Sequence, residues 1–206
     1  MAERMVEVEQ TLKQLRAQEK IPASLRRAEI RVQLLRACAE IELALVPTRI
    51  GDLGLAWNAR GIVAIHLPRG DAAQTLRSLR RQYPAAPVRA VAPAEYQREL
   101  QAYATGQVRE FRAPLDWSAI KPFQRAVLET ANRIPFGETR TYQWIAQQIG
   151  KPRAARAVGR ALATNPIPII LPCHRVIGSD GGLHGYGGGL PLKRKLLELE
   201  GAAFSL

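Results

Sequence analysis

The sequence predicts a mixed α/β (α+β) protein, with a small three-stranded antiparallel sheet followed by a mostly helical region that contains a helix-turn-helix. Short apolar runs separated by turn residues occupy positions 41–67, and longer apolar patterns with helical spacing dominate the second half. The hydrophobic content of 47% over 206 residues is ordinary for a globular chain. We expect a helical extension of unknown role at 1–40, a small α/β domain at 41–110 and a second domain at 111–206.

The first elements follow from periodicity and turn residues. Apolar residues at a three-four spacing predict helices before and after Ile21-Pro22. Runs at 43–46, 53–57 and 62–67 predict an antiparallel meander. Asp71 can cap a helix that extends to about Tyr83, and another helix is expected at about 93–105.

The second half predicts helices at about 122–132, 139–149, 153–164 and 191–200. The short turn Gly150-Lys151-Pro152 joins the second and third of these in the manner of a helix-turn-helix, which presents its second helix to a duplex.

One cysteine follows a proline-rich segment and precedes a glycine-rich one. It lies in the stretch Pro172-Cys173-His174-Arg175-Val176. Residues that precede a proline are pushed out of the helical region, so we expect 165–171 to be extended and Cys173 to stand at the end of a short strand. The two cysteines are far apart and the chain has three histidines, which predicts a free thiol and neither a disulfide nor a metal site.

A reactive cysteine needs a base that takes its proton. His174 is adjacent, but neighbouring side chains in a strand or helix point away from each other, so we expect a bridging water between Sγ and the imidazole. The glycine-rich stretch 178–190, which contains Tyr186 and Gly187, is interpreted as a binding loop and not as an idle linker.

The net charge of +12 is concentrated near the cysteine, because residues 111–206 carry 13 basic and 6 acidic side chains. Residues 140–179 contain six basic residues and no acidic one. A solvated basic face is the alternative, but the coincidence with a helix-turn-helix favours nucleic acid. No apolar run is long enough to span a bilayer and the start lacks a signal-peptide layout, so we expect a cytoplasmic protein that associates with the nucleoid.

The second helix of the helix-turn-helix has unusually small side chains. Ala155, Ala157 and Gly159 surround Arg156, and Arg160 follows one turn later. Asn and Gln side chains that read the major groove are missing. Such a helix can approach the minor groove closely and insert one long side chain into the stack, although packing against a neighbouring helix explains some of the alanines.

The segment from Phe123 to Glu200 resembles the O6-alkylguanine-DNA alkyltransferase family, most closely the alkyltransferase portion of bacterial Ada-type proteins. The resemblance is carried by Pro172-Cys173-His174-Arg175-Val176 with Asn165-Pro166-Ile167-Pro168 before it, and by three further stretches: Ala154 to Gly159, Phe136 to Tyr142, and Gly185-Tyr186 with the following glycines. It extends loosely over 41–110 as the family's RNase-H-like N-terminal domain, and residues 1–40 fall outside it.

The resemblance implies a role for each matching position. Cys173 would accept the alkyl group, His174 would be the water-linked base, Glu200 would hold the histidine, and Asn165 would brace the active-site turn. Tyr142 would donate to the guanine ring, Arg156 would replace the extruded nucleotide, and Tyr186 with the backbone of Gly187 would line the pocket. The remaining DNA contacts are assigned to Phe123, Gln143, Lys151, Ser179, Ala155, Ala157, Gly159 and Arg160.

The implied function is DNA repair by a single-turnover methyltransferase that flips O6-alkylguanine through the minor groove and keeps the alkyl group on Cys173. O4-alkylthymine is a second candidate lesion. Binding is expected to be largely sequence-independent and the protein to be a monomer. Two alternatives remain: a non-catalytic lesion sensor of the alkyltransferase-like type, which has tryptophan in place of the cysteine, and a cysteine hydrolase that uses Cys173 and His174.

Overall fold

A three-stranded antiparallel sheet begins the computed structural model, which describes residues 41–205. Its strands are β1 (Glu42–Val46), β2 (Leu53–Asn58) and β3 (Gly61–His66), in the order β1-β2-β3. Val46 pairs with Leu53, and Leu55 pairs with Ile65. The predicted meander is confirmed, whereas the helical extension predicted for residues 1–40 lies outside the described residues.

The central strand β2 is buried on both faces. Its alternate side chains enter the main hydrophobic core, while Ala56 packs with Leu79 in a smaller cluster on the other face. Leu79 belongs to α1 (Ala72–Gln82), which Asp71 caps by accepting a hydrogen bond from the backbone of Gln74 at 2.7 Å. Helix α1 therefore covers one face of the sheet and leaves the other face to the rest of the chain.

Helix α2 (Ala94–Tyr103) follows and buries Tyr96, Leu100 and Tyr103. The second half then contains α3 (Pro122–Asn132), α4 (Tyr142–Gln148), α5 (Ala155–Ala163) and α6 (Leu190–Leu199). Two short strands, β4 (Arg140–Thr141) and β5 (Val176–Ile177), pair in parallel. The predicted helices are present, with ends that differ by up to three residues.

The largest difference at a helix end concerns α4, which was expected from about residue 139. Arg140 and Thr141 pair instead with Val176 and Ile177 of β5. The Thr141 side chain then accepts a hydrogen bond from the backbone of Trp144 at 3.0 Å and caps the helix. The pairing with β5 is a long-range contact, which the local pattern of residues 139–149 could not reveal.

The prediction that residues 165–171 are extended before Cys173 is wrong. Residues 167–171 form a turn in which the Leu171 amide donates to the Ile167 carbonyl at 2.9 Å, and Ile169 has a positive φ of 76°. Cys173 opens a 3-10 helix, Cys173–Arg175, and does not stand at a strand end. Proline restricts the residue before it, so the rule covers Asn165, Ile167 and Leu171 but not Ile169 and Ile170, where the turn forms.

The main core joins the sheet to the helices, since β2 and β3 side chains share one buried cluster with residues of α3, α4, α5 and α6. The predicted division between 41–110 and 111–206 stays a prediction. Within the described part of the chain, no helix is long and apolar enough to cross a membrane.

Candidate functional site

Cys173 lies beneath the surface with 8% of its area exposed. The side-chain amide of Asn165 donates to its Sγ at 3.1 Å and to the Leu171 carbonyl at 2.8 Å. The Asn165 carbonyl oxygen accepts from the Ile167 amide at 3.0 Å. One asparagine side chain thus closes the turn and contacts the sulfur, so the structure brings these two predicted site residues together.

The thiol is held in its protonated form. Burial raises the pKa of Cys173, and the hydrogen bond from Asn165 and the charge of Lys193 offset only part of that effect. Nucleophilic attack requires the thiolate. A neighbouring base must therefore take the proton if Cys173 is to react near neutral pH.

His174 is fixed by Glu200. Its Nε2 lies 2.8 Å from Glu200 Oε1, and both side chains are fully buried. Burial lowers the pKa of His174 more than the Glu200 carboxylate raises it, so the imidazole is neutral. Since the carboxylate accepts a hydrogen bond, Nε2 carries the proton and Nδ1 presents a lone pair.

That Nδ1 is buried and has no hydrogen-bond partner among the described residues. The hydrogen bonds of the described chain also include none between the imidazole and Cys173 Sγ. The expected water between the two groups stays a prediction. The site can accept a proton at Nδ1 while Nε2 stays bound to Glu200.

The Glu200 carboxylate is surrounded by donors. Burial alone would raise its pKa, but hydrogen bonds from His174 and Arg175 lower the pKa to about 2. Arg175 donates to both oxygens, through Nε to Oε2 at 2.7 Å and through Nη2 to Oε1 at 3.0 Å. The hydroxyl of Tyr103 donates to Oε1 at 2.7 Å. Glu200 is therefore ionised throughout the physiological pH range.

Sequence reasoning missed three residues of this site: Arg175, Tyr103 and Lys193. Arg175 lies in the Pro172-Cys173-His174-Arg175-Val176 stretch. A charged residue in a segment that also contains apolar residues could have indicated a buried ion pair. Tyr103 lies 71 positions before His174 and offered no such signal. Lys193 is 1% exposed and donates through Nζ to the carbonyls of Val176, at 2.7 Å, and Leu183.

Burial lowers the pKa of Lys193 to about 8, and the charge of a Cys173 thiolate acts in the opposite direction. Two backbone carbonyls accept hydrogen bonds from the buried ammonium group and offset part of the cost of its burial. Lys193 thereby places a positive charge inside the protein that favours the thiolate of Cys173.

Two tyrosines border the cysteine. Tyr142, at the start of α4, is half-buried and packs edge-on against His184, with ring centroids 6.5 Å apart. Tyr186, in the glycine-rich loop, packs edge-on against His174 at 6.5 Å. The Tyr186 hydroxyl is buried without a hydrogen-bond partner in the described chain. A buried hydroxyl of this kind can bind a ligand that enters beside Cys173.

Helices α4 and α5 form the predicted helix-turn-helix. Gly150 takes a positive φ of 69° that ends α4, and the Gln143 side chain donates to the Pro152 carbonyl at 2.8 Å across the turn. On α5, Val158, Ala161 and Leu162 face the core, while Arg156 and Arg160 are exposed. Ala155, Ala157 and Gly159 are half-buried, and a Cβ on Gly159 would lie 3.8 Å from the Tyr142 ring. Small residues thus bring α5 close to Tyr142.

The remaining predicted contact residues lie at or near the surface. Lys151 is exposed, and its ammonium nitrogen stands 5.4 Å above the ring of half-buried Phe123. Ser179 and Gly187 are exposed in the loops that follow β5. Residues 41–205 contain no group of three or more side chains suited to hold a metal ion.

The fold and site together define a protein with a buried cysteine, a histidine-carboxylate pair beside it and an adjacent basic helix-turn-helix. Residues 122–202 match the family described as 6-O-methylguanine DNA methyltransferase, DNA binding domain. A methylated-DNA–protein-cysteine methyltransferase of Methanosarcina acetivorans is 50% identical over 108 residues, which are 52% of this chain and 69% of that protein. The chain belongs to this methyltransferase family.

A further relative and a solved structure indicate the same family. The Mycobacterium leprae methylated-DNA–protein-cysteine methyltransferase is 54% identical over 107 residues, or 52% of this chain and 64% of the relative, so the alignment spans less than two thirds of that protein. The crystal structure of Mycobacterium tuberculosis OGT in complex with DNA matches with a TM-score of 0.67 and 40% identity, over 78% of this chain and 92% of that chain. The resemblance and the mixed α/β fold class predicted from the sequence are confirmed.

Proposed function

We propose that this protein repairs DNA by transferring the alkyl group of O6-alkylguanine to Cys173. The proposal is carried by one observation: His174 Nε2 lies 2.8 Å from Glu200 Oε1, while Nδ1 has no hydrogen-bond partner among residues 41–205. The residue before His174 in sequence is the buried Cys173. The family membership supports it, because the relatives are named methylated-DNA–protein-cysteine methyltransferases.

The chemistry balances without a cofactor. The thiol proton of Cys173 passes through a water molecule to Nδ1 of His174, and Glu200 stabilises the resulting imidazolium. The thiolate then attacks the alkyl carbon, the bond from that carbon to O6 breaks, and its electron pair returns to the guanine ring. The ring takes up one proton, which matches the one that the thiol gave up.

The product on the protein is a thioether. A thioether has no easy route back to a thiolate, so each protein molecule acts once. Asn165 holds the turn that presents the sulfur. Tyr142 donates a proton or a hydrogen bond to the departing base, and Tyr186 with the backbone of Gly187 lines the pocket on the other side.

We propose that the helix-turn-helix binds DNA and contacts the minor groove of the duplex. Arg156 is exposed on a helix of small residues, which suits insertion into the space of an extruded nucleotide. The DNA backbone is contacted by Phe123, Gln143, Lys151, Ser179, Ala155, Ala157, Gly159 and Arg160. Binding is largely independent of sequence and weakens with salt, and a monomer acts in the cytoplasm at the nucleoid. O4-alkylthymine is a second candidate substrate.

The test mixes the protein with a duplex that carries labelled O6-methylguanine. We expect transfer to stop at about one methyl group per protein molecule, as covalent capture requires. Peptide mapping is expected to place the label on Cys173, and Cys173→Ala should retain DNA binding while losing transfer. Continued turnover, or label on another residue, contradicts the proposal.

A non-catalytic lesion sensor is not favoured. Such proteins resemble this chain but have tryptophan at the cysteine position, whereas Cys173 is present and hydrogen-bonded to Asn165. A cysteine hydrolase is disfavoured by the lack of a hydrogen bond between Cys173 and the imidazole in the described chain. Hydrolysis of a generic thioester that disappears in Cys173→Ala would restore that alternative.

A further inference from the structure

The histidine-carboxylate pair receives a contact from the first half of the chain. Tyr103, the last residue of α2, is fully buried, and its hydroxyl lies 2.7 Å from Glu200 Oε1 and 3.3 Å from His174 Nε2. This residue lies outside the matched segment 122–202. No role for it follows from the chemistry described above.

The ring of Tyr103 is held in place by aromatic neighbours. Its centroid lies 5.3 Å from that of Phe111 in a tilted pair and 6.3 Å from that of Phe136 in an edge-on pair. Burial and the neighbouring Glu200 raise the pKa of Tyr103 well above its usual value, so the hydroxyl keeps its proton. Because Glu200 is ionised, that proton is donated to the carboxylate.

Oε1 of Glu200 therefore accepts three hydrogen bonds, from Tyr103, His174 and Arg175. Oε2 accepts from Arg175 and, at 3.4 Å, from the backbone of Gly137. Each donor on Oε1 withdraws part of the negative charge that would otherwise stabilise a protonated His174. The Tyr103 hydroxyl thus acts on both the direction of the carboxylate and its strength as a hydrogen-bond acceptor.

We propose that Tyr103 is a positioning residue of the acceptor site: its buried hydroxyl fixes the Glu200 carboxylate against His174 and moderates the affinity of the imidazole for a proton. The inference rests on the proposed function, in which His174 takes the proton of Cys173. It makes the α2 helix part of the machinery that prepares the thiol.

The consequence is a shift in pH dependence. In Tyr103→Phe, Oε1 loses one donor and interacts more strongly with His174, so the imidazole is expected to bind a proton more tightly. The charged and titratable groups that face His174 are Glu200, Arg175, Lys193, Cys173 and Tyr186. All five are retained in the variant, which assigns any shift to the hydroxyl.

The experiment compares full-length wild type, Tyr103→Phe and Tyr96→Phe across pH. Tyr96 is a buried tyrosine of the same helix whose hydroxyl makes no hydrogen bond among the described residues, so it is the matched control. The readouts are the rate of methyl transfer from an O6-methylguanine duplex, the Kd for that duplex, and the titration of the His174 ring nitrogens by NMR in the free protein.

For Tyr103→Phe we expect the acid-side midpoint of the rate profile and the His174 titration to move up by about one pH unit, the size that loss of one charge-assisted hydrogen bond can produce. The Kd for DNA should not change. Tyr96→Phe should match wild type. A Tyr103→Phe protein with the wild-type midpoints overturns the proposal.

A second substitution guards against misfolding of the variant. Incorporation of 3-fluorotyrosine at position 103 gives a more acidic hydroxyl, which donates more strongly to Oε1 and should lower the His174 midpoint. A shift in the same direction as in Tyr103→Phe, or none, also overturns the proposal. If wild type transfers no methyl group, the proposed function fails, but the NMR titration still decides the role of Tyr103.

Discussion

The side-chain amide of Asn165 donates to the sulfur of Cys173 at 3.1 Å, and the same nitrogen donates to the Leu171 carbonyl at 2.8 Å. The amide therefore ties the shape of the turn to the state of the thiol. It lowers the pKa of Cys173 against the larger upward effect of burial. This dual contact suggests that a change of one atom in Asn165 affects both stability and reactivity.

Asn165→Asp replaces the donating nitrogen by an oxygen of nearly the same size. The new carboxylate faces both the sulfur and the Leu171 carbonyl, so we expect a higher thiol pKa and a free energy of unfolding lower by about 2 kcal/mol. Ultraviolet absorbance of the thiolate against pH measures the first effect and urea unfolding the second. Asn132→Asp, at the exposed end of α3, is the control, and a thiol pKa equal in both variants contradicts the assignment.

Glu200→Gln tests the buried ion pair with Arg175. Both side chains are almost fully buried, and the variant leaves the guanidinium without a counter-charge. We expect the free energy of unfolding to fall by about 3 kcal/mol. The double variant Arg175→Met/Glu200→Gln should lose less than the sum of the single variants in urea unfolding. Strict additivity would show that the pair does not interact, and Glu198→Gln on the exposed side of α6 serves as control.

The same carboxyl predicts how stability depends on pH. Glu200 has a pKa of about 2 in the folded protein against an ordinary value of 4.5. The shift contributes about 3 kcal/mol of stability above the unfolded pKa, and this contribution is lost as pH falls through the folded pKa. Urea midpoints between neutral pH and pH about 2 should show this loss. Glu200→Gln should remove that part of the decline, and an unchanged acid profile in the variant would refute it.

The sequence was most informative where local patterns decide structure. The alternation in 41–67 predicted the three strands because each strand pairs with its neighbour through a short turn. Asp71 predicted the start of α1 because capping is a contact within three residues. The stretch around Cys173 indicated a candidate site because a single cysteine was set between prolines and glycines, and the structure brings Asn165 into contact with its sulfur.

Long-range contacts limited what the sequence could predict. The β4–β5 pair joins Arg140 to Val176, and the Tyr103 hydroxyl meets Glu200 across 97 positions. The positive φ of Ile169 lies in a buried turn that Asn165 closes through its side chain. Such contacts depend on the folded chain as a whole, and local propensity carries no signal for them.

Tyr186→Phe removes a buried hydroxyl that has no partner in the described chain. An unsatisfied buried hydroxyl costs stability, so the free energy of unfolding of the variant should be higher than that of wild type by about 1 kcal/mol, measured by urea unfolding. If this hydroxyl binds the flipped base, the variant should also transfer methyl groups more slowly. Tyr103→Phe is the contrast, because its hydroxyl is bonded to Glu200 and its removal should destabilise the protein. Loss of stability in Tyr186→Phe would contradict this interpretation.

Arg156→Ala tests whether the exposed arginine of α5 extrudes the base. A side chain that fills the vacated space offsets the unpairing cost of a few kcal/mol, so the variant should transfer alkyl groups from a paired lesion about 100-fold more slowly. Transfer from the free O6-alkylguanine base should stay at the wild-type rate, because no unpairing is needed. Single-turnover rates on both substrates provide the measurement.

Arg98→Ala is the control for lost positive charge, since Arg98 is exposed on α2, far along the chain from the helix-turn-helix. It should leave both rates unchanged. An equal loss on the paired lesion and the free base in Arg156→Ala would place the arginine in the acceptor chemistry instead of base extrusion. A loss on the paired lesion that disappears at low salt would assign Arg156 to phosphate binding, because electrostatic affinity rises as salt falls.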